Sequence, residues 1–573
     1  MSIKGVIFDI GQTLINQLFK ERSYKRSEEF FSHVYDYLLE KQVPNHFECF
    51  PSKSEFISEL TILYKTTRAE KNQSTHFYIE VPLFSQALEV LVSFNNKHSQ
   101  KIASVEDHRH LMPLLEDAFR QPSFVDDSAY ECWPDTLKTL KELKRLGFKI
   151  ALASNTAHPV KHEVVMKKFG ISSIVDADVI SGYCGVRKPN PKMLDLCCSL
   201  LELPKEEVVV VGDLLDRDIL LANLCGVRSI WINAIPYDIE QNLKRIREGS
   251  AQYLPTAGIC CLSQLIPTIE YLNSVTPEPD QVKVGYYFPD IKKKLETGRK
   301  KAFVPNSKIF YMPIEIRSPP EKLGSFDVII QKVTDLYFST NKKDQEALEG
   351  LQEYMDKHPE VLVLDPLEDL ALTNNRKVFC EQFPCIEFED GVRVRPPRLL
   401  KSTKEFPCIV KDERACTAPG VHEVTIAFNS AGLDAVLQNF KGNPVVQEWV
   451  PHSKGLFKVY VLGEDFQVKP RRGCDFSEPP DFLKFNYHKD WPQGIKEVPN
   501  CTQISNEVVS RINHQISELT GLGLISYDLL VETDTQFVIV DLNYFPNYLG
   551  YENFAEKMDA YVLSRLQKHN LNL

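Results

Sequence analysis

The chain has no run of about 20 apolar residues, the length a helix needs to cross a bilayer. A helical membrane span is excluded on that ground, and no membrane partner is expected. Its 14 cysteines include no CxxC pair. Structural zinc and a disulfide framework both lack their usual signature, so free thiols in a reducing compartment are expected. Positive charge is not in excess either. Lys and Arg number 67 against 78 Asp and Glu, a formal net charge of −11, which argues against general nucleic-acid binding. The opening MSIKGVIFDIGQTL is apolar but broken by Asp9 and Gly11, so no secretory leader is expected. With no lipidation box at the other end, the expected location is cytoplasmic. No internal repeat is visible, and a monomer is expected.

What is present is a globular composition, 43% hydrophobic and 25% charged, too apolar for disorder. In the first half, short apolar runs alternate with helical periodicity. Lys4–Asp9, Lys149–Ser154, Glu207–Val211 and Arg228–Ile232 read as strands. Asp135–Leu146 reads as a helix stopped by Gly147. Continuous apolar strands between helices predict a parallel sheet covered on both faces. Residues from about 16 to 131 break the pattern with helical character and predict an inserted cap. The proline-bearing polar stretch 273–281 reads as a linker. The expected fold class is α/β: a Rossmann-like parallel sheet with a helical cap over 1–272, then an α+β unit over 282–573.

In open parallel sheets the ligand crevice lies beyond the C-terminal strand ends. Asp9, Ser154 with Asn155, Asp213 with Asp218, and Lys188 all fall there. A carboxylate can attack phosphorus. A lysine offsets phosphate charge, and two further acids can hold Mg²⁺, a hard cation that takes oxygen ligands. The segments FDIGQTL (8–14), ASNT (153–156), RKPNP (187–191) and GDLLDRD (212–218) resemble the haloacid-dehalogenase superfamily, mostly Mg²⁺-dependent phosphatases. The resemblance spans about 1–270. It implies a phosphate and metal pocket of Asp9, Gly11, Ser154, Lys188, Asp213 and Asp218, with Asp9 as the catalytic nucleophile and the Gly11 carbonyl facing the metal. One position departs. The family's phosphatases carry a general acid/base aspartate two residues after the nucleophile, and Gly11 stands there. General acid catalysis contributes about 10²–10⁴-fold, so weakened or absent phosphatase activity is implied.

In the second half, Ile525–Val531 is a strand with Asp528 in its middle, and Gln536–Asn543 is a strand ending in Asp541 and Asn543. A hairpin between them would gather three oxygen ligands for Mg²⁺. Upstream, Lys411 ends the strand Phe406–Val410, and Lys458 lies in Phe457–Val461; both are candidate phosphate ligands. Between them, Val445–Val450 runs from apolar into polar residues and offers backbone groups to an adenine edge. Seven ordered segments carry a resemblance: VGYYFPDIKKKL (284–295), DVIIQKVTD (327–335), HPEVLVLDPL (358–367), FPCIVK (406–411), VVQEWVPH (445–452), FKVYVLG (457–463) and DLNYFPNY (541–548). They resemble the ATP-grasp fold and, within it, the inositol-tetrakisphosphate 1-kinase (inositol 1,3,4-trisphosphate 5/6-kinase) family.

That resemblance covers nearly all of 282–573. It implies ATP as phosphoryl donor, Mg²⁺, and an inositol tris- or tetrakisphosphate as acceptor. It puts Arg376, Lys411, Gln447 and Val450 at nucleotide positions, and Asp528, Asp541 and Asn543 at metal positions. Lys292, Lys332, His452, Lys458 and Arg471 fall in the polyphosphate pocket, with Asn543 also facing substrate and Lys458 catalytic. Converging cations suit a polyphosphate, and phosphoryl transfer is mostly positioning plus charge stabilisation. Two departures touch the inositol pocket: Cys416-Thr417 replaces a family His-Gly pair, and Asn547 replaces a glycine. A kinase is the leading expectation. A non-catalytic polyphosphate or nucleotide sensor and a bifunctional kinase–phosphatase are its alternatives. Arg393, Arg395 and Arg398 flank prolines and read as a surface loop, and Trp133 reads as core.

Overall fold

Gly5–Phe8 and Val208–Gly212 are buried along their whole length, which a strand achieves only in a sheet covered on both faces. A computed structural model of the chain describes residues 2–17, 20–73, 79–125, 127–128, 130–233, 239–274, 281–288, 302–337, 339–400, 405–414, 423–452, 454–476, 479–486, 495–498 and 504–572. Two compact units emerge. The first is Met1–Pro279 with Val304–Ser307; the second is Asp280–Phe303 with Lys308–Leu573. Among the described residues, no helix is long and apolar enough to cross a membrane.

The first unit holds β1 (Gly5–Phe8), β2 (Ile15–Gln17), β3 (Tyr130–Cys132), β4 (Lys149–Ser154), β5 (Ala177–Ile180), β6 (Val208–Gly212), β7 (Arg228–Ile232) and β8 (Ala257–Ile259). Six of these form one sheet in the order β5-β4-β1-β6-β7-β8, every pairing parallel. The order reverses at β1, so the ends of β4, β1 and β6 share one crevice. The helix Thr136–Arg145 ends at Leu146, followed by Gly147 at φ 86°, as its sequence predicts.

The cap is helical, with Lys20–Glu40, Lys53–Gln73, Leu83–His98 and Met112–Phe119. It packs around its own core of Phe31, Leu38, Phe56, Leu60, Leu88, Leu91 and Leu115. It enters and leaves through the antiparallel pair β2–β3, where Asn16 faces Glu131. Trp133, just past that pair, is buried. The helix Leu265–Ser274 reaches into the stretch expected to be a linker, and residues 275–280 lie outside the described residues.

The second unit opens with four parallel strands: β9 (Val282–Tyr287), β10 (Ile309–Pro313), β11 (Val328–Gln331) and β12 (Leu362–Leu364), in the order β10-β9-β11-β12. Twelve more strands follow: β13 (Ile386–Glu387), β14 (Arg393–Arg395), β15 (Cys408–Asp412), β16 (Glu423–Ala427), β17 (Pro444–Glu448), β18 (Leu456–Leu462), β19 (Asp465–Arg471), β20 (Gly473–Phe476), β21 (Phe482–Asn486), β22 (Ile495–Val498), β23 (Leu524–Val531) and β24 (Gln536–Tyr544). Two mixed or antiparallel sheets, β13-β14-β24-β23-β18-β19 and β17-β15-β16-β21, carry Lys411, Gln447, Lys458, Arg471, Asp528, Asp541 and Asn543.

One expectation is corrected here. Arg393–Arg395 is not a surface loop but β14, paired parallel with Gln536–Val538 of β24. Val394 is fully buried between two arginines, the alternation of a half-buried strand. The prolines end the strand at residue 396 rather than preventing it.

Candidate active sites

The first unit gathers its charges at one point. Carboxylate oxygens of Asp9, Asp213 and Asp218 all lie within 4.8 Å of one another. Lys188 Nζ donates to Asp9 Oδ1 at 2.5 Å and to Asp218 Oδ1 at 2.6 Å. Burial pushes the Asp9 carboxyl up to about 6; the Lys188 charge pulls it back, and Asp218 adds to the rise. Burial pulls Lys188 down, but Asp218 and Asp9 more than offset it and hold its pKa above the ordinary lysine value. Asn155 fastens the lysine loop, donating to the Lys188 carbonyl at 3.0 Å and accepting its N–H at 2.8 Å. Ser154 closes β4 at the same edge. Gly11 sits three residues past β1, where an added Cβ would meet nothing within 4 Å. Three clustered carboxylates fit a hard divalent cation.

Gly212 has a specific job. A Cβ there would come within 2.3 Å of Asp218 Cγ, so only glycine lets Asp218 lie against the end of β6. Gly212→Ala is expected to displace Asp218 and weaken Mg²⁺ binding at this site about 10–100-fold, the usual cost of disturbing a ligand's support. Isothermal titration with Mg²⁺ on the full chain measures it.

The second unit builds its site in rows across one sheet face. Leu456, Leu530 and Val538, cross-strand neighbours, form an apolar patch with Val450. Two residues along β18 and β23, and three along β24, Lys469, Lys458, Asp528 and Asp541 stand opposite one another on β19, β18, β23 and β24. The next row places Tyr460, Ser526 and Asn543 together. The period of two sets the rows on β18 and β23, and a register shift between Asp528 and Leu529 brings Asp541 of β24 into the charged row. Lys458 Nζ is 3.3 Å from Asp528 Oδ1, an oxygen that is buried without a hydrogen bond. Asn543 Nδ2 donates to Asp541 Oδ2 at 3.1 Å. An orphaned buried acceptor beside two further oxygen ligands fits a hard cation.

Arg376 and Lys411 face these acids. Arg376 donates through Nη1 to the carbonyls of Asp412 and Arg414, at 2.9 and 2.8 Å. That leaves its Nε 3.7 Å from Asp541 Oδ1. Burial raises Asp541, yet Arg376, Lys411 and Lys458 hold its carboxyl below the ordinary range. Burial pulls Lys411 below its usual value, and the Asp541 charge opposes that fall. Gln447 is buried and its Nε2 lies 2.9 Å from Cys380 Sγ. Lys332 is buried and donates to the Tyr544 carbonyl. Arg471 lies exposed at the end of β19, opposite Leu456. Asn547 is exposed, its Oδ1 accepting the Leu549 N–H at 3.3 Å. Lys292, Cys416 and Thr417 lie outside the described residues.

Comparison with known proteins separates the two halves. Residues 3–226 match the haloacid dehalogenase-like hydrolase model. Residues 283–370 match the inositol 1,3,4-trisphosphate 5/6-kinase pre-ATP-grasp domain, and 382–481 with 486–564 match the ATP-grasp domain of the same kinases. The C-terminal half is similar to the inositol 1,3,4-trisphosphate 5/6-kinases in both their pre-ATP-grasp and ATP-grasp domains. The N-terminal half is haloacid-dehalogenase-like. Among relatives of the kinase unit, an inositol-tetrakisphosphate 1-kinase of Danio rerio is 28% identical over 323 residues, covering 50% of this chain and 79% of that protein. One from Xenopus laevis is 26% identical over 326 residues, with the same two coverages of 50% and 79%. Among solved structures, a 2-haloacid dehalogenase from Pseudomonas syringae pv. Tomato aligns over 47% of this chain and 98% of its own, at 20% identity and TM-score 0.30. A phosphatase of the same superfamily from Thermococcus onnurineus aligns over 46% and 96%, at 22% identity and TM-score 0.26.

His452 of the kinase unit is buried, and its Nδ1 accepts the Cys474 N–H at 3.1 Å. Burial and the nearby Lys411 charge lower its pKa to about 4, so the imidazole is neutral at pH 7. A histidine depressed below its unfolded value costs stability as pH falls. The unfolded chain takes up the proton near pH 6.5 while the folded chain refuses it until about pH 4. Over that window the kinase unit is expected to lose about 3 kcal/mol through this residue. Urea unfolding at pH 7.5 and 5.0 should show about 2 kcal/mol of this loss, and His452→Asn, which keeps an acceptor for Cys474, should flatten it.

Several residues near these sites had no signal in the sequence. Glu80, from the cap, accepts from Ser181 Oγ at 2.8 Å and lies 3.7 Å from Arg187, both buried with it. The Glu80 N–H donates to the Gly185 carbonyl at 3.0 Å. The cap thereby holds the loop that delivers Lys188. In the kinase unit, Glu448 follows Gln447 and accepts from Arg395 Nη1 and, at 2.8 Å, from Arg398 Nε. Arg395 Nη2 also donates to Glu532 at 2.6 Å, beside the turn between β23 and β24. Arg395 thus braces the end of β17 against that hairpin. Lys469, in the charged row, donates to the Leu549 carbonyl at 3.0 Å. Cys380 touches Gln447, and burial pushes its thiol up to about 11.

Proposed function

We propose that the kinase unit transfers the γ-phosphoryl group of ATP to a hydroxyl of an inositol tris- or tetrakisphosphate. The observation that carries this reading is the in-register row Lys458–Asp528–Asp541, flanked by an apolar row and a polar row on one face. The apolar row with Val450 would take the adenine, and backbone groups near Gln447 its polar edge. Lys411 and Arg376 would bind the phosphates. Asp528, Asp541 and Asn543 would hold Mg²⁺, which when bound neutralises charge on the transferring phosphates. Lys458, ion-paired with Asp528, would turn to the transferred phosphoryl group, and Lys332, His452 and Arg471 would line the acceptor side.

The acceptor hydroxyl needs no strong base if the transition state is loose. The N-terminal unit, with Gly11 where a proton donor would stand, would be at most a slow phosphatase. A cytoplasmic monomer is the working assumption for the assay. Purified full-length protein with ATP and Mg²⁺, given a panel of inositol tris- and tetrakisphosphates, should yield one more highly phosphorylated product, resolved by anion-exchange chromatography. No product from any isomer, with ATP binding intact, would leave a nucleotide or polyphosphate sensor.

A further inference from the structure

Two histidines of the helical cap face each other across 64 residues of chain: His110 Nε2 lies 3.3 Å from His46 Nδ1. Their ring centroids are 5.2 Å apart at an interplanar angle of 57°, so the rings meet at nitrogen-bearing edges and do not stack. Both residues are exposed, and a dissolved ion can reach the pair. Each stands on a short 3₁₀ turn rooted in the cap core. His46 closes Val43–His46, and His110 lies in Glu106–Leu111; Val43 and Leu111 are both buried in that core. A third histidine fixes the first. His108 is buried, with its Nε2 3.2 Å from the His46 carbonyl and its ring stacked on Phe47 at 4.5 Å between centroids. Asn95 Oδ1 accepts the Glu48 and Cys49 N–H groups at 3.1 and 3.0 Å. The backbone that carries His46 is thus held by the cap's own packing.

We propose that His46 and His110 bind one divalent transition cation of the zinc, copper or nickel kind, as a two-histidine clasp on the cap. Zinc binds imidazole nitrogen at about 2.0–2.1 Å in a tetrahedron, which puts two such nitrogens about 3.3–3.4 Å apart. The observed 3.3 Å meets that spacing with neither side chain moving, and it is long for a hydrogen bond. Water completes the coordination. Each imidazole binds in its neutral form, with the proton on the nitrogen that does not face the ion. Imidazole suits these metals, whereas Mg²⁺ keeps to oxygen ligands, so the clasp and the carboxylate clusters select different ions. Two of the four ligands of a structural zinc site give a Kd of about 1–100 µM. The bound ion ties together two turns that are distant in sequence and stiffens the cap between them.

The test uses reduced full-length protein in excess Mg²⁺, which occupies the oxygen sites, titrated calorimetrically with Zn²⁺. Wild type and His98→Ala, a control at another exposed cap histidine, should bind one equivalent alike in the range given. His46→Ala and His110→Ala should each weaken that equivalent by at least about 10–100-fold, the loss that disturbing a ligand's support alone produces. Hydrogen exchange on the wild type needs no variant. Zn²⁺ should slow exchange in residues 43–49 and 104–111, and Mg²⁺ should leave both segments unchanged. No Zn²⁺ uptake, or equal uptake by wild type and both alanine variants, would overturn the proposal; in the second case the ion sits elsewhere, as on cysteine thiolates. Uptake without slowed exchange in either segment would overturn the clasp. Equal slowing by Mg²⁺ would overturn the class of ion.

Discussion

Asp541→Ala is expected to reduce product formation by the kinase unit about 10³-fold or more while leaving the protein folded, the scale of losing one charge-stabilising group at a reacting phosphate. Asp541 is where the charges of the site converge. It faces Asp528 across the hairpin, takes a hydrogen bond from Asn543, and is held ionised against burial by Arg376, Lys411 and Lys458. Removing it would delete a proposed cation ligand and leave Arg376, Lys411 and Lys458 without the carboxylate that offsets their charges. Nucleotide phosphates would offset those charges instead. ATP without Mg²⁺ should therefore bind the variant at least as tightly as wild type, while the gain from adding Mg²⁺ shrinks. Turnover with the inositol phosphate panel, beside calorimetric ATP titrations with and without Mg²⁺, reads both effects. A variant retaining turnover within about tenfold of wild type would remove Asp541 from the metal set.

Lys188→Met is expected to cost the N-terminal unit about 3–5 kcal/mol, the loss seen when one partner of a buried ion pair is deleted. The Lys188 side chain is 2% exposed and Asp218 is 1% exposed, so the Asp218 carboxylate cannot turn to water for a substitute. The deficit should depend on pH. Without the lysine, Asp9 loses the charge that opposes its burial, and its folded-state affinity for protons rises. A carboxyl raised above its unfolded value makes stability fall as pH rises. The wild-type unit already has this slope through Asp9, between its ordinary 3.8 and about 6. The variant should carry it to higher pH, with the largest deficit above pH 7 and partial recovery near pH 5. Urea unfolding at pH 5.5 and 8.0 measures this. A loss below about 1 kcal/mol at pH 8.0 would mean that the cluster has another counter-charge.

The residues alone determined those parts that are local in character. Lys149–Ser154 and Arg228–Ile232 are strands at the expected residues, because an apolar run between helix and turn signals needs no distant information. The hairpin bearing Asp528 and Asp541 was legible because its strands are close in sequence. Other features depend on register and on contacts between segments far apart in the chain. Lys458 and Lys469 stand beside Asp528 because three antiparallel strands pair without slip; a one-residue shift would turn those lysines to the opposite face. The tertiary structure alone places Glu80 on the Lys188 loop, Arg395 between Glu448 and Glu532, and Asp218 in the space that Gly212 leaves. No local pattern encodes such contacts: each is set by where two separately formed segments meet once the apolar faces have packed.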